Sequence, residues 1–328
     1  MRTLMVIERE RAEVIDTPRP SPGAGEVRIA VSHVGLCGTD LHVFEGAFGR
    51  YPMTPGHDAA GVIDAVGDQA FEKILGTRVT IDPSACCLRA STPIPLCPRC
   101  ARGATNLCVN QSYMGISAPG ACAEFVVVPA ARAVPLPDSV SALQATCLEP
   151  IAVALHLREM IADVPGPVAI FGAGPVGLAI ARLLMRDRPT LLIEPSESRR
   201  AFAAGDGCVE VCSPENIPGP LPPIIVDAAG HPSVAGLVEA LAEPSSLILL
   251  VCGPLEISGR TILTRELQIR AVKGGRGLYP EAVGLVEASF DTARWTEVLV
   301  PFEEAPSFFA DWAQGLRRPF RAALRLTH

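Results

Sequence analysis

The chain has 328 residues, of which 48% are hydrophobic and 5% aromatic, and its formal net charge at pH 7 is −7. This length and hydrophobic content predict two domains with sizeable buried cores and exclude a disordered chain. The negative charge and the absence of a basic block argue against binding to nucleic acid or to an anionic membrane, so a small molecule is the expected partner.

The N-terminal segment MRTLMVIERERAEVI lacks the apolar core and the small-residue cleavage site of a signal peptide. The apolar run LILLVCG at 247–253 is far too short to span a membrane. The eleven cysteines are an odd number in a long chain, which favours free thiols and metal ligands over a disulfide framework. We therefore expect a cytoplasmic protein in a reducing compartment.

Short β-like runs at 2–16 and the alternating apolar residues of GEVRIAVSHVG at 25–35 predict a β-rich first domain. The stretch 31–67 then brings six chemically useful side chains into a short span: Cys37, Thr39, Asp40, His42, His57 and Asp58. A thiolate and an imidazole suit zinc, and a catalytic zinc needs three protein ligands and an open position. Cys37 and His57 supply two of them. Asp58 and Glu149, in CLEPIAVALH, are both candidates for the third.

A cysteine-rich loop follows, ACCLRASTPIPLCPRCARGATNLC, with five thiols: Cys86, Cys87, Cys97, Cys100 and Cys108. The C-x-x-C spacing at 97–100 places two thiolates where one metal ion can reach both, and Cys108 supplies a third. The segment LQATCLEPIAVALHLREMIA then has apolar residues at helical spacing and should lead into a second domain. His156 on that helix is expected to be a packed or capping residue and is not assigned to a site.

The second domain opens with PVAIFGAGPVGLAIARLLM, a strand followed by G-x-G-x-x-G and a helix. Such glycines let the backbone approach a pyrophosphate at the helix N-terminus. The predicted cofactor-binding residues of this loop are Gly172, Gly174, Pro175, Val176 and Gly177.

A second strand, TLLIE, ends in Glu194, twenty residues after Gly174, where a carboxylate should accept hydrogen bonds from the adenosine ribose. A carboxylate there would repel a 2′-phosphate, which favours NAD over NADP. Arg199, which we include among the cofactor-binding residues, and Arg200 leave NADP open, because an arginine could pair with the phosphate.

Further apolar runs alternate with segments of helical composition, which predicts an α/β domain with a doubly wound parallel sheet. We place this dinucleotide-binding domain at 151–274. Residues 1–150 and 275–328 then form the other domain, to which the chain returns through the helical PEAVGLVEASF and the strand FRAALRLTH.

The segments GLCGTDLH and GHDAAGVIDAVG closely resemble the catalytic-zinc segment of the zinc-dependent medium-chain alcohol and polyol dehydrogenases. In that family they usually have the forms G-hydrophobic-C-G-[ST]-D-x-H and G-H-E-x-x-G-x-[VI]-x-x-[VI]-G, so Asp58 stands where Glu is usual. The resemblance implies a Rossmann cofactor domain and a β-rich GroES-like catalytic domain. It also places Glu149 in the family's E-P-[IL] position. Our preferred ligand set is Cys37, His57 and Glu149, with Asp58 as the alternative carboxylate.

The cysteine-rich loop resembles the family's structural-zinc loop C-x2-C-x2-C-x7-C, but its first cysteine would fall at Ile94. An inserted LRASTPIPL accounts for the displacement. One of Cys86 and Cys87 is then expected to join the other three cysteines around a structural zinc.

The resemblance also implies the chemistry. A zinc ion with an open position lowers the pKa of a bound alcohol towards neutrality, and the carbinol then gives its hydride to nicotinamide. Thr39 would accept the proton of the alcohol, and His42 would pass it on to water through the cofactor ribose. Asp40 is expected to orient His57 through its other ring nitrogen.

The predicted function is therefore NAD-dependent oxidation of a secondary alcohol in a polyol, diol, cyclitol or sugar-like compound. Glu149-Pro150 and IEPSESRR resemble the sorbitol, butanediol and threonine dehydrogenase branch, which implies a homodimer or homotetramer. Two alternatives remain: a zinc-free quinone or enone reductase on the same fold, and a non-catalytic zinc or nucleotide-binding protein. The first would need the Cys37, His57 and Glu149 set to be accidental. Thr39 and His42 argue against the second, because a non-catalytic protein has no need of a proton path.

Overall fold

The computed structural model describes residues 1–208 and 210–327 of the chain, in two compact units. The first unit consists of Met1–Glu149 and Tyr279–His328, and the second unit is Pro150–Leu278. The sequence placed the two junctions near 150 and 275. Within the described residues, no helix has the length and apolar character needed to cross a membrane.

The strands and helices follow one another along the chain in a pattern that differs between the two units. The strands are β1 (Arg2–Glu8), β2 (Arg11–Asp16), β3 (Glu26–Leu36), β4 (Asp58–Val66), β5 (Arg78–Ile81), β6 (Ser84–Ala85), β7 (Ser112–Tyr113), β8 (Phe125–Pro129), β9 (Ala133–Pro135), β10 (Val168–Phe171), β11 (Thr190–Ile193), β12 (Glu210–Cys212), β13 (Ile224–Asp227), β14 (Leu247–Leu250), β15 (Gln268–Ala271), β16 (Val298–Pro301) and β17 (Ala322–Arg325). The helices are α1 (Gly38–Phe44), α2 (Ala142–Ala145), α3 (Leu148–Met160), α4 (Pro175–Leu184), α5 (Glu197–Gly205), α6 (Pro232–Leu241), α7 (Gly259–Arg265), α8 (Tyr279–Ala288) and α9 (Ala305–Ala313).

The first unit is built on a sheet with the strand order β16-β17-β3-β4-β5-β9, and β8 also pairs with β3. In β3 the branched residues Val27, Ile29 and Val31 alternate and are fully buried, as expected for a strand with one face on a core. Phe44 and Phe309 pack in the same core. Because β17 pairs antiparallel with β3, the C-terminal segment lies beside the strand that leads into α1.

The second unit contains a parallel sheet with the order β12-β11-β10-β13-β14-β15. Strands β10 and β13 are buried at every residue, which explains why they appear in the sequence as continuous apolar runs. The order reverses between β10 and β13, and in such sheets this crevice is where ligands bind. The prediction of a doubly wound parallel sheet is confirmed.

Candidate functional site

A single buried carboxylate, that of Asp40, joins the two segments that carry the predicted zinc ligands. Its Oδ2 accepts the backbone N–H of Cys37 at 2.9 Å, and its Oδ1 accepts that of Gly56 at 2.8 Å. The same Oδ1 lies 3.6 Å from Nδ1 of His57. Asp40 is fully buried in the first turn of α1, three residues after the Cys37 N-cap. It therefore holds the Cys37 and His57 segments together and faces Nδ1 of the imidazole, beyond hydrogen-bond distance, while Nε2 is left for a ligand.

Gly56 allows this junction to form because it has a φ of +95°. A Cβ at this position would lie 2.6 Å from Sγ of Cys122 and 2.9 Å from Val34. Both the backbone conformation and the lack of space require glycine.

His57 lies between two carboxylates. Its Nδ1 faces Asp40, and its Nε2 is 3.9 Å from Oδ1 of Asp58. Burial lowers the pKa of His57, but the charges of Asp58 and Asp40 outweigh it and raise the pKa well above its ordinary value. The two carboxylates therefore favour a positive charge at the position of His57.

Asp58 is neutralised by Arg321, which precedes β17. An Nη of Arg321 contacts Oδ2 of Asp58, and the two side chains are each 1% exposed. Burial lowers the pKa of the guanidinium, and the Asp58 charge raises it by more, so the arginine keeps its charge. Gly35 leaves room for this arginine, since a Cβ there would lie 2.5 Å from its Nη. The other oxygen of Asp58, Oδ1, is buried without a hydrogen-bond partner.

Glu149, in the first turn of α3, is the second candidate carboxylate. The hydroxyl of Tyr113 donates a hydrogen bond to its Oε1 at 3.1 Å. Burial and the neighbouring Asp58 charge raise the pKa of Glu149 to about 7. Tyr113 also packs edge-on against His57, with 5.8 Å between ring centroids and 63° between the ring planes.

These donors fit a zinc ion in their chemistry, because the buried His57 and Asp58 lie close to the partly buried Cys37 and Glu149, and Asp58 Oδ1 has no hydrogen-bond partner. Their atoms are more widely spaced than those of the cysteine cluster. In the described part of the chain, only the cluster of four thiols has all its donor atoms within 4.8 Å of one another.

Thr39 and His42, the predicted proton path, lie on α1. The Thr39 hydroxyl is 3.8 Å from Sγ of Cys37. His42 is exposed, and its Nδ1 lies 3.5 Å from a carboxylate oxygen of Glu45. Thr39 is thus next to the predicted zinc thiolate, and His42 is in contact with solvent.

The four thiols of the cysteine cluster are all buried and belong to Cys87, Cys97, Cys100 and Cys108. Of the two cysteines left open by the sequence, Cys87 is the one in the cluster, and Cys86 accepts a hydrogen bond from Arg89 at 3.7 Å. Backbone N–H groups, first that of Cys100, lower the pKa of Cys97 to about 6, whereas burial raises the pKa of Cys100 to about 12. A thiolate at Cys97 and three neighbouring thiols form a donor set suited to a tetrahedral zinc.

In the second unit, the glycine loop has the geometry that phosphate binding needs. Gly172 has a φ of +97°, and a Cβ on Gly177 would collide with its carbonyl oxygen. A Cβ on Gly174 would meet nothing within 4 Å, so the N-terminus of α4 is open to a ligand. Pro175 and Val176 begin α4.

Glu194 follows β11 and is 5% exposed. Its Oε2 accepts the N–H of Ala173 at 2.8 Å, and its Oε1 accepts that of Ser196 at 2.9 Å. It lines a cavity of about 680 Å³ together with Gly172, Gly174 and Arg199. Arg200 instead donates to the backbone carbonyls that follow β11, so Arg199 is the arginine at the cavity.

Sequence analysis missed several residues at both sites. Tyr113 and Arg321 were not singled out at the first site, nor were Glu215 and His231 at the cavity. Neither Arg321 nor Tyr113 has a signal in its local sequence, because the burial of Arg321 and its pairing with Asp58 arise only in the folded chain.

The chain is similar to known proteins over most of its length. Residues 23–138 match the alcohol dehydrogenase GroES-like domain. The chain is 29% identical to the starvation-sensing protein RspB of Escherichia coli K12 over 297 residues, which is 85% of this chain and 86% of RspB. It is 30% identical to the probable D-xylulose reductase A of Aspergillus fumigatus over 289 residues, which is 80% of this chain and 78% of the reductase.

Among solved structures, that of the alcohol dehydrogenase RspB from E. coli CFT073 in complex with NADH has a TM-score of 0.88. The two chains are 26% identical, and the match covers 99% of each. The likeness therefore extends over both units.

Proposed function

The chain belongs to the zinc-type medium-chain alcohol and polyol dehydrogenases, and we propose that it transfers a hydride between a secondary alcohol of a polyol, diol, cyclitol or sugar and NAD. The observation that carries this proposal is the buried cluster around Asp40. There one carboxylate fixes the segments of Cys37 and His57, and the partly buried Glu149 lies close to His57 and Asp58. The relative named as a D-xylulose reductase supports a polyol or sugar substrate.

Cys37, His57 and Glu149 would hold the catalytic zinc. A zinc ion bound there polarises the oxygen of the alcohol and lowers its pKa. We assign Glu149 rather than Asp58 as the third ligand, because Oδ2 of Asp58 already binds Arg321. Asp58 then forms an ion pair with Arg321 and contributes negative charge beside His57.

The remaining residues of this unit orient groups and move the proton. Asp40 would orient His57 through its charge, because its Oδ1 faces Nδ1 of the imidazole at 3.6 Å. Thr39, beside the Cys37 thiolate, is assigned to take the proton of the alcohol. His42 is exposed, so it can exchange that proton with water. The cluster of Cys87, Cys97, Cys100 and Cys108 is assigned to a structural zinc.

In the second unit, the glycine loop and the N-terminus of α4 would bind the pyrophosphate of the cofactor. Glu194 lines the cavity beside this loop, and a carboxylate at that place favours the 2′-hydroxyl of NAD. Arg199 lines the same cavity, so the strength of the preference for NAD depends on the balance of these two charges. The same proposal includes a homodimeric or homotetrameric state, which rests on the family resemblance. It also includes a cytoplasmic location and the absence of nucleic-acid or membrane partners, in line with the net charge of −7.

The test is reduction of NAD and NADP, followed at 340 nm, with a panel of polyols, vicinal diols, cyclitols, sugars and threonine. Zinc content is measured on the same protein. We expect turnover of one substrate class that favours NAD, is abolished by a zinc chelator and is lost in Cys37→Ser. Cys212→Ser, in β12 of the second unit, is the matched control and should retain activity.

Turnover that survives both the chelator and Cys37→Ser would contradict the zinc mechanism and favour a zinc-free reductase. Bound zinc and bound nucleotide without turnover across the panel would favour a non-catalytic protein.

A further inference from the structure

Tyr113 contacts two of the three side chains assigned to the catalytic zinc, although it offers no metal ligand itself. Its hydroxyl donates to Oε1 of Glu149 at 3.1 Å, and its ring lies edge-on to His57. The contact with Glu149 leaves the second carboxylate oxygen, Oε2, for another partner.

The backbone around Tyr113 is held on both sides. In the β6–β7 pair Tyr113 lies opposite Ser84, whose N–H donates to Oδ1 of the buried Asp82 at 2.9 Å. The N–H of Tyr113 donates to the hydroxyl of Ser117 at 2.8 Å. The phenol is thus presented by a fixed element, which is what a residue that orients a ligand requires.

Glu149 takes its direction from Tyr113, because the neighbouring arginine is engaged elsewhere. Arg321, the nearby cation, is engaged by Asp58 and by the carbonyl oxygen of Thr146. The hydrogen bond from the Tyr113 hydroxyl to Oε1 therefore fixes the direction of the Glu149 carboxyl group.

We propose that Tyr113 is a positioning residue of the catalytic metal site, which holds one oxygen of Glu149 so that the other is directed at the metal and metal loss is slowed. The inference rests on the proposed function, because it takes Glu149 as a ligand. Groups that hydrogen-bond to a metal ligand typically change metal affinity by about 10–100-fold when they are removed.

The test is Tyr113→Phe, which keeps the ring against His57 and removes the hydroxyl. Zinc release to a chromogenic chelator is followed over time in the parent protein and in Cys37→Ser. The kinetic phase that is present in the parent protein and missing in Cys37→Ser is assigned to the catalytic site. We expect this phase to be about 10–100-fold faster in Tyr113→Phe. Tyr51→Phe is the matched control, because the Tyr51 hydroxyl faces only the backbone carbonyls of Val43 and Phe44, and its release rate should stay within about twofold of the parent protein.

A second measurement separates positioning from general loosening of the fold. The dissociation constant for zinc is determined by chelator competition for Tyr113→Phe alone and in a Glu149→Gln background. If Tyr113 acts through Glu149, the two changes are not additive, and Tyr113→Phe adds less than about twofold in that background. The urea midpoint of the first unit should be the same in Tyr113→Phe as in the parent protein.

Zinc release from Tyr113→Phe within twofold of the parent protein would overturn the proposal. So would a full effect in the Glu149→Gln background, because Tyr113 would then act through another group. If Cys37→Ser releases the same amount of zinc in the same phases as the parent, the catalytic zinc itself is wrong and the proposed function fails first.

Discussion

Replacing Arg321 with methionine is expected to destabilise the first unit by about 3–5 kcal/mol, the cost of leaving a buried charge without its partner. An exposed ion pair would contribute only about 0–1 kcal/mol. The larger value applies because the side chains of Arg321 and Asp58 are each 1% exposed. The variant would also leave the carbonyl oxygen of Thr146 without the arginine that donates to it.

The assay is urea unfolding of chelator-treated protein followed by tryptophan fluorescence. The chain has two tryptophans, Trp295 and Trp312, and both lie in the first unit, so the signal reports that unit. With an m value of about 2.5 kcal/mol per M, a loss of 4 kcal/mol lowers the midpoint by about 1.6 M urea. Arg325→Met, at an exposed position in β17, is the control and should change stability by less than about 0.5 kcal/mol.

The pairing itself is tested by adding Asp58→Asn to Arg321→Met. Removing the Asp58 charge, which has no partner in Arg321→Met, should recover about 1–3 kcal/mol of the lost free energy of unfolding. A cost of under 1 kcal/mol for Arg321→Met, or strict additivity in the double variant, would refute the view that Asp58 depends on Arg321.

Three further outcomes are expected. Gly56→Ala should lower the free energy of unfolding by at least about 2 kcal/mol in the same fluorescence assay, because its Cβ would lie 2.6 Å from Sγ of Cys122 at a φ of +95°. A urea midpoint equal to that of the parent protein would contradict the stated geometry. Cys87→Ser should lose one zinc per chain by elemental analysis while Cys86→Ser keeps it, and equal losses would show that the cluster is misassigned. In chelator-treated protein the Glu149 pKa of about 7 lies above its value in the unfolded chain, so the folded state binds a proton more tightly. The free energy of unfolding should therefore fall by roughly 3 kcal/mol as pH rises from 4.5 to 7. Glu149→Gln should flatten that fall, and an unchanged slope would assign it to other groups.

The parts of the fold that follow from local sequence were predictable. The parallel sheet could be inferred because β10 and β13 are buried on every side and their apolar runs are continuous. The glycine loop could be inferred because the close approach of Gly177 to the Gly172 carbonyl leaves no room for a side chain. In both cases the physical constraint acts on residues within a few positions of one another.

The parts of the site that depend on distant contacts were not predictable. Arg321 and Asp58 are 263 positions apart, and the pairing of both β17 and β4 with β3 brings them together. Tyr113 lies in a two-residue strand after the cysteine-rich loop, where hydrophobic periodicity carries no information. The choice between Cys86 and Cys87 depended on the direction of two adjacent side chains, which spacing alone does not determine.

The discontinuity of the first unit has a consequence for its synthesis. At about 5–20 residues per second, a ribosome needs roughly 13–50 s to travel from Asp58 to Arg321. During this interval the nascent chain has completed β3 and β4, but one edge of β3 lacks β17 and Asp58 lacks its cation. Nascent chains that stop short of Arg321 therefore carry an open strand edge beside an acidic group without its cation, and an open strand edge is a site for pairing with other chains.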